Sequence, residues 1–165
     1  MEEKLWAIFR TVNTWLEFAE KKNAYLLTFV GLQFTIIRAW SLPTNFWLIA
    51  CVVALLLSLL LCILSFFPVT GMAEYIYKLT SRKKKSGDAD NLLFYNHIAK
   101  YSADEYVAVM EKYLNGAIKN DKYLTDLCFQ IVANSTITDE KFELFKLNFW
   151  LLIIAEIFFA ISFLK

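Results

Sequence analysis

The chain is poor in the residues from which most chemical sites are built. Its 165 residues include one histidine, four glycines, two prolines and three cysteines. Four glycines are too few for phosphate-cradling loops, and neither a P-loop nor a GxGxxG run occurs. The single histidine, His97, excludes an HExxH zinc motif, and there is no GxSxG nucleophile turn. Cys51, Cys62 and Cys128 form no CxxC pair and have no histidine at metal-ligand spacing, so they read as small apolar fillers. Carboxylates are plentiful, but none is set beside an obvious nucleophile. The residues therefore predict no enzyme, no metal and no cofactor. A net charge of +1 gives no general attraction to nucleic acid. No alternating stretch is long enough for a sheet, and no internal repeat is visible.

What the chain has in excess is apolar surface, with 58% hydrophobic and 17% aromatic residues, more than a soluble domain carries. Residues 45–67 contain no charge, no glycine and no proline, and Pro43 and Pro68 punctuate the ends. A bilayer core takes about 20 apolar residues as helix, which this run supplies. It starts too late and runs too long for a cleaved signal peptide. Residues 147–164 are apolar apart from Asn148, Glu156 and Ser162, and span if Lys165 reaches the far interface. Residues 24–40 are weaker, since they carry Gln33 and Arg38. They are read as a span entered at Lys21 and Lys22 and left at Trp40, an aromatic interface anchor.

Charge placement then predicts topology. Arg10, Lys21, Lys22, Lys78, Arg82, Lys83, Lys84, Lys85, Lys141 and Lys146 fall on one side of three spans, and Arg38 and Lys165 on the other. The positive-inside rule puts the N-terminus and residues 70–146 in the cytoplasm. The expected fold is thus an all-α membrane protein with three transmembrane helices and a helical cytoplasmic domain between spans two and three. The expected divisions are an N-terminal amphipathic helix (1–23), a transmembrane hairpin (24–67, spans 24–40 and 45–67), a cytoplasmic helical region (68–146) and a third span (147–164).

The cytoplasmic part reads as helical. Residues 3–20 carry an apolar stripe too wide for a free amphipathic helix, so they pack on protein or lie at the interface. A juxtamembrane helix is expected over 71–82, then a charged loop, RKKKSGDAD. The aromatic segment NLLFYNHIAKY follows. Ser102 and Glu105 have capping-box spacing, and their helix is expected to end near Asn115 with Gly116 as the stop. A last helix starts near Asn120 or Asp121 and runs toward the third span. On that helix Asp126, Gln130 and Asn134 share a face, with Lys141 further along it; a solvated face and a signal-coupling face both fit. Lys22 and Asn23 fit either an interfacial anchor or a ligand contact. Gln33, Arg38 and Glu156 lie within the membrane, where polar groups are costly and turn to protein or water. Ala50, Ala54, Ser58 and Cys62 recur every four residues, a stripe of small side chains that fits self-association or packing on the chain's own spans.

Three runs occur in order: KKNAYLLTFVGLQF, NLLFYNHIAKYSADEYVAVM and DLCFQIVANSTITDEKFELFKLNFW. Together they resemble the Pycsar transmembrane effector family of bacterial anti-phage defence. The positions that carry the resemblance are Lys22, Asn91, Phe94, Tyr95, Ile98, Ala99, Ser102, Glu105, Tyr106, Asp126, Gln130, Ile131, Lys141 and Phe142, over about residues 18 to 165.

The resemblance implies a membrane effector in the bacterial inner membrane. A separate cyclase senses infection and makes a cyclic pyrimidine mononucleotide, cCMP or cUMP. The effector responds, membrane integrity is lost and infection aborts. The implied partners are the lipid bilayer and the nucleotide; further copies of the chain, as a homo-oligomer, are expected from the small-residue stripe instead. Residues 82–106 are the expected ligand segment, with cations for phosphate and rings for a base. The candidate ligand residues are Lys22, Arg82, Asn91, Phe94, Tyr95, His97 and Tyr106. Asp126, Gln130 and Lys141 would couple the signal to the membrane. An effector answering a cyclic oligonucleotide of another defence pathway, or a structural scaffold without ligand, fits the same residues.

Overall fold

The computed structural model of the protein describes residues 2–39, 44–66, 86–87, 89–116 and 118–164. Within them the chain is all helical. The elements are α1 (Glu2–Ala39), α2 (Phe46–Phe66), α3 (Tyr95–Ile98), α4 (Ala103–Leu114), a 3₁₀ turn (Ile118–Asn120) and α5 (Lys122–Ser162). The juxtamembrane helix expected over 71–82, the basic run Arg82 to Lys85, the connection after Trp40 and the terminal Lys165 lie outside the described residues. Two helices, α2 and α5, are long and apolar enough to cross a membrane.

The helix ends follow from local chemistry. Asn45 caps α2: its side-chain oxygen accepts the Leu48 N–H at 2.8 Å, filling one of the orphan donors of a helix start. Asp121 does the same for α5, accepting from Tyr123 at 2.9 Å and Leu124 at 3.3 Å. At α4 the capping box is complete. Glu105 N–H donates to Ser102 Oγ at 3.3 Å, and Ser102 N–H donates to the Glu105 carboxylate at 2.8 Å. The α4 stop differs from expectation by one residue. Asn115, not Gly116, takes the left-handed conformation, at φ 48°. Gly116 N–H then reaches the Glu111 carbonyl at 3.2 Å and Asn115 N–H the Lys112 carbonyl at 3.4 Å, the paired bonds of a Schellman ending. A second difference concerns α1. The expected separate elements, 3–20 and 24–40, are one helix of 38 residues. The Glu20-Lys21-Lys22-Asn23-Ala24 step holds no glycine or proline and little intrinsic reason to break.

Contacts divide the chain into two compact units. One comprises Met1–Ala19 and Tyr75–Lys141, the other Glu20–Glu74 and Phe142–Lys165. The first, here the charged unit, buries residues from each of its elements: Leu5, Ile8 and Val12 of α1, Ile98 of α3, Tyr106 and Met110 of α4, and Cys128 and Ile131 of α5.

The second, the apolar unit, is a three-helix core. Leu26 and Val30 of α1, Cys51, Ala54, Leu55 and Cys62 of α2, and Leu152 and Ala155 of α5 form one buried cluster. Contacts set the helix directions. Lys22 lies over the rings of Phe142 and Phe145, at 5.4 and 5.0 Å, and Gln33, about three turns further along α1, lies against Glu156. Thus α1 and α5 run parallel. Ser58 pairs with Asn148 and Asn45 with Ser162, so α2 runs antiparallel to α5. The small-residue stripe of α2 faces inward: Ala54 is 6% exposed, and Ser58 and Cys62 are wholly buried. These three pack on the chain's own helices, while Ala50 is half-buried. The outward residues of α2, including Ile49, Val53, Leu56 and Leu60, are uniformly apolar.

A polar contact sits inside this apolar packing. The Ser58 hydroxyl donates to Asn148 Oδ1 at 2.6 Å, and Asn148 Nδ2 donates to Cys62 Sγ at 3.0 Å. Interhelical polar bonds in apolar surroundings contribute about 0.6–2 kcal/mol. Asn148→Ala strands the buried Ser58 hydroxyl and is expected to destabilise the protein by about that amount. Thermal unfolding in detergent checks this: the midpoint should fall by several degrees, while Leu60→Ala on the outward face should leave it nearly unchanged.

Candidate functional site

The segment that the sequence singles out, from Asn91 to Tyr106, folds around a few enclosed groups. Asn91 opens it with an Asx turn, its side-chain oxygen accepting Leu93 N–H at 2.9 Å. Its own N–H donates to His97 Nδ1 at 2.8 Å. The only histidine therefore closes a turn, and its Nδ1 is an acceptor here. Phe94 and Tyr95 pack against Trp15 of α1, with ring centroids 6.0 and 5.6 Å apart, and Phe94 also meets His97 edge-on at 5.7 Å. Tyr106 has no exposed surface, and its hydroxyl donates to the Leu92 carbonyl at 3.2 Å. Burial pushes its phenol well above the usual tyrosine range. Tyr95 and Tyr106 are buried in the core of the segment, while Phe94 and His97 are half-buried.

An open groove runs beside that core. It encloses about 620 Å³ and is lined by Gly87, Leu92, Tyr101, Glu105, Lys112 and Tyr113, among others, within the size range of small-molecule sites. It belongs wholly to the charged unit. Glu105, Val109 and Lys112 line it because they lie at helical spacing on one face of α4. The opposing wall is made by Ser86, Gly87, Asp90 and Leu92, with Asp90 holding Gly87. Lys100 donates to the Asp90 carboxylate, and so does Gly87 N–H, at 2.8 Å. Tyr101 donates to the Gly87 carbonyl at 3.2 Å. The Lys100 ammonium, with Gly87 N–H assisting, holds the Asp90 carboxyl below the usual carboxylate range. The capping bond from Ser102 N–H does the same for Glu105. Both carboxylates are thus committed to structure. Lys112 and the Tyr113 ring are exposed on the groove's rim.

Of the sequence-selected residues, Asn91, Phe94, Tyr95 and His97 meet one another. None of Lys22, Asn91, Phe94, Tyr95, His97 and Tyr106 lines the groove, and Arg82 lies outside the described residues. Lys22 belongs to the apolar unit, with its ammonium over Phe142 and Phe145. On α5, Asp126 and Gln130 are exposed. Asn134 is half-buried and donates to Asn13 Oδ1 at 2.7 Å, tying α5 to α1. Lys141 is buried, beside buried Asp139 and Glu140 in sequence, and Asp139 accepts from the Asn96 amide. The sequence reading missed Tyr101, Lys112 and Tyr113. The signal that would find Lys112 is the i, i+4, i+7 face starting at Glu105, read outward rather than into the core. Among the described residues no group of His, Cys, Asp and Glu is placed to hold a metal ion.

Asp90 makes the groove wall sensitive to acid. A carboxyl held low in the folded state adds stability at pH values above its unfolded value, near 4. That stability is lost as the pH falls through the folded value. Hydrogen exchange at the Gly87 amide should therefore accelerate as the pH drops below about 4, relative to the intrinsic rate. Asp90→Asn should show the faster exchange already at neutral pH and lose this acid dependence.

No curated protein and no solved structure matches the chain. A family model does: that of the Pycsar effector protein domain, over residues 4–165. With two apolar helices long enough to cross a bilayer, the chain is a membrane protein. It belongs to the Pycsar effector family and is, accordingly, an anti-phage defence effector linked to a cyclic-nucleotide signal.

Proposed function

We propose that the chain is the membrane-damaging arm of its pathway: a non-enzymatic effector that answers cCMP or cUMP from a separate cyclase and breaches the inner membrane, aborting infection. The observation that carries this reading is the shared core of α1, α2 and α5. A helix with a glutamine and an arginine is a weak span alone, but α1 packs with the two strongly apolar helices as one bundle. That packing supports three spans. The parallel α1 and α5 have Lys21, Lys22, Lys141 and Lys146 at corresponding helix positions, which supports a cytoplasmic N-terminus by the positive-inside rule.

The groove on α4 supports the ligand half of the reading. Lys112 offers a cation for the cyclic phosphate, and Tyr101 and Tyr113 offer rings against which a pyrimidine can stack. The exposed α5 residues Asp126 and Gln130 would carry the response, since α5 continues unbroken to Ser162.

Proteoliposomes loaded with a self-quenching dye test the proposal. Dye release is expected with cCMP or cUMP and not with cAMP or cGMP. Lys112→Glu should abolish release at ligand levels that saturate the natural protein, and Lys112→Ala should raise the half-effective concentration about tenfold, the equivalent of about 1.4 kcal/mol. Release by a cyclic oligonucleotide instead would reassign the signal. Release by none of these ligands would leave the scaffold reading in place.

A further inference from the structure

The one histidine of the chain closes its turn through an unprotonated ring nitrogen. His97 Nδ1 accepts the Asn91 N–H at 2.8 Å. A backbone N–H is a donor only, so the ring offers a lone pair there and carries its proton on Nε2. The same Nδ1 lies 3.7 Å from Asp90 Oδ1, too far for a hydrogen bond. That oxygen is taken by Lys100. The other, Oδ2, accepts from Gly87 N–H at 2.8 Å and from the Tyr101 hydroxyl at 3.3 Å. The step from Asp90 to Asn91 is thus pinned twice, by Asp90 on the groove side and by the imidazole behind it.

A proton on Nδ1 undoes one pin and offers another. Two N–H groups would then face each other at bonding distance, and one of them has to withdraw. The Asp90 carboxylate, already beside the ring, is an acceptor of opposite charge for the new donor. Solvent reaches the ring, since the His97 side chain is 33% exposed and that of Asp90 only 7%. Histidine is the side chain that ordinarily changes charge between about pH 5 and 8. The ionisable groups set on this turn are Asp90, Lys100 and the Tyr101 hydroxyl from the segment itself, and Asp139 of α5, which accepts from the Asn96 amide. Helix α1 adds the Trp15 ring, against Phe94 and Tyr95.

We infer that His97 is a proton-operated latch on the groove wall: the neutral ring holds Asn91, and the protonated ring releases Asn91 and turns to Asp90. Leu92, the next residue, lines the groove, so release alters that wall. Gly87 stays in place, because it is bound to the other carboxylate oxygen. The groove described above belongs to the neutral ring, and a ligand that fits it binds the protonated form less well. This last step rests on the groove reading under the proposed function. On that reading a breached membrane lets the pH around the groove follow the pH outside, so the latch responds to the effector's own action.

Isotope-labelled histidine in the full-length protein, held in mild detergent, gives the nitrogen signals of one ring only. At about pH 8 they should show the Nε2–H tautomer, with Nδ1 unprotonated. Asn91 amide exchange, relative to its intrinsic rate, should speed up about tenfold as the same signals report protonation, the effect of losing one protecting hydrogen bond. Gly87 should keep its protection over this range, which separates the latch from general unfolding. His97→Asn puts a non-titrating amide oxygen near the Nδ1 position, so Asn91 exchange should lose its pH dependence. His97→Phe has no acceptor and should exchange fast at every pH. A proton on Nδ1 at about pH 8, an Asn91 rate that ignores the state of the ring, or an unchanged pH dependence in His97→Asn would overturn the latch. Dye release tests the link to the groove, with equal pH on both sides of the vesicles. The half-effective concentration of cCMP or cUMP should rise several-fold from about pH 8 to about pH 6 and stay level in His97→Asn. A level value in the natural chain, beside titrating exchange, would overturn that link. Release by no nucleotide at any pH would refute the groove reading itself, and the exchange result would still decide the latch.

Discussion

On the proposed three-span reading, the constraint on which the apolar unit depends is that burial of apolar surface does little to bring helices together once lipid has replaced water. Leucine is as comfortable against an acyl chain as against another leucine. Register among α1, α2 and α5 must therefore come from close packing and from directional contacts. The Ser58–Asn148–Cys62 group supplies one, the Asn45 amide on the Ser162 carbonyl another at 3.0 Å, and Gln33 against Glu156 a third. Small residues at Ala54, Ser58 and Cys62 let α2 approach closely enough for the first to form. A slip of one residue would rotate Asn148 by about 100° out of the interface, so a single amide helps fix the pairing of two helices.

The charged unit is organised on a different principle. Its interior uses aromatic edges, with Trp15 meeting Phe94 and Tyr95, and polar side chains that close turns on themselves. Asn91, His97, Asp90, Lys100 and Tyr101 all act within a short stretch of chain. This explains why Tyr95 and Tyr106, conspicuous in sequence, are buried. Aromatic and histidine side chains in a short irregular segment are needed there to build a core at all. The groove is lined by what remains on the outside of α4.

Helix ends were the most legible feature of the sequence, because they are set by local chemistry. The Ser102–Glu105 box, the Asp121 cap and the start of α2 at Asn45 all follow from residue type and spacing. The inward or outward sense of a stripe was less legible. The α2 small residues suit self-association and internal packing equally, and only the position of Asn148 on α5 shows that Ser58 and Cys62 face the chain's own helices. The division expected between residues 23 and 24 came from a change in composition, from amphipathic to apolar, and the backbone runs through it as one helix. Tyr106 illustrates a similar ambiguity. Its ring suits stacking on a base or filling a core, and its place on the inner face of α4 settles that it fills the core in this conformation.

The ending of α4 bears on how the protein ages. Asn115 precedes Gly116, and an asparagine–glycine step is the one at which a side-chain amide is most easily attacked by the following backbone nitrogen, losing ammonia through a cyclic imide. Here that nitrogen's N–H is held by the Glu111 carbonyl, and Asn115 is fixed in the left-handed conformation that the Schellman ending requires. Reaction needs both to be released. The rate at which this residue turns to aspartate or isoaspartate in stored protein is thus a chemical clock for fraying of α4, the helix that carries one wall of the groove.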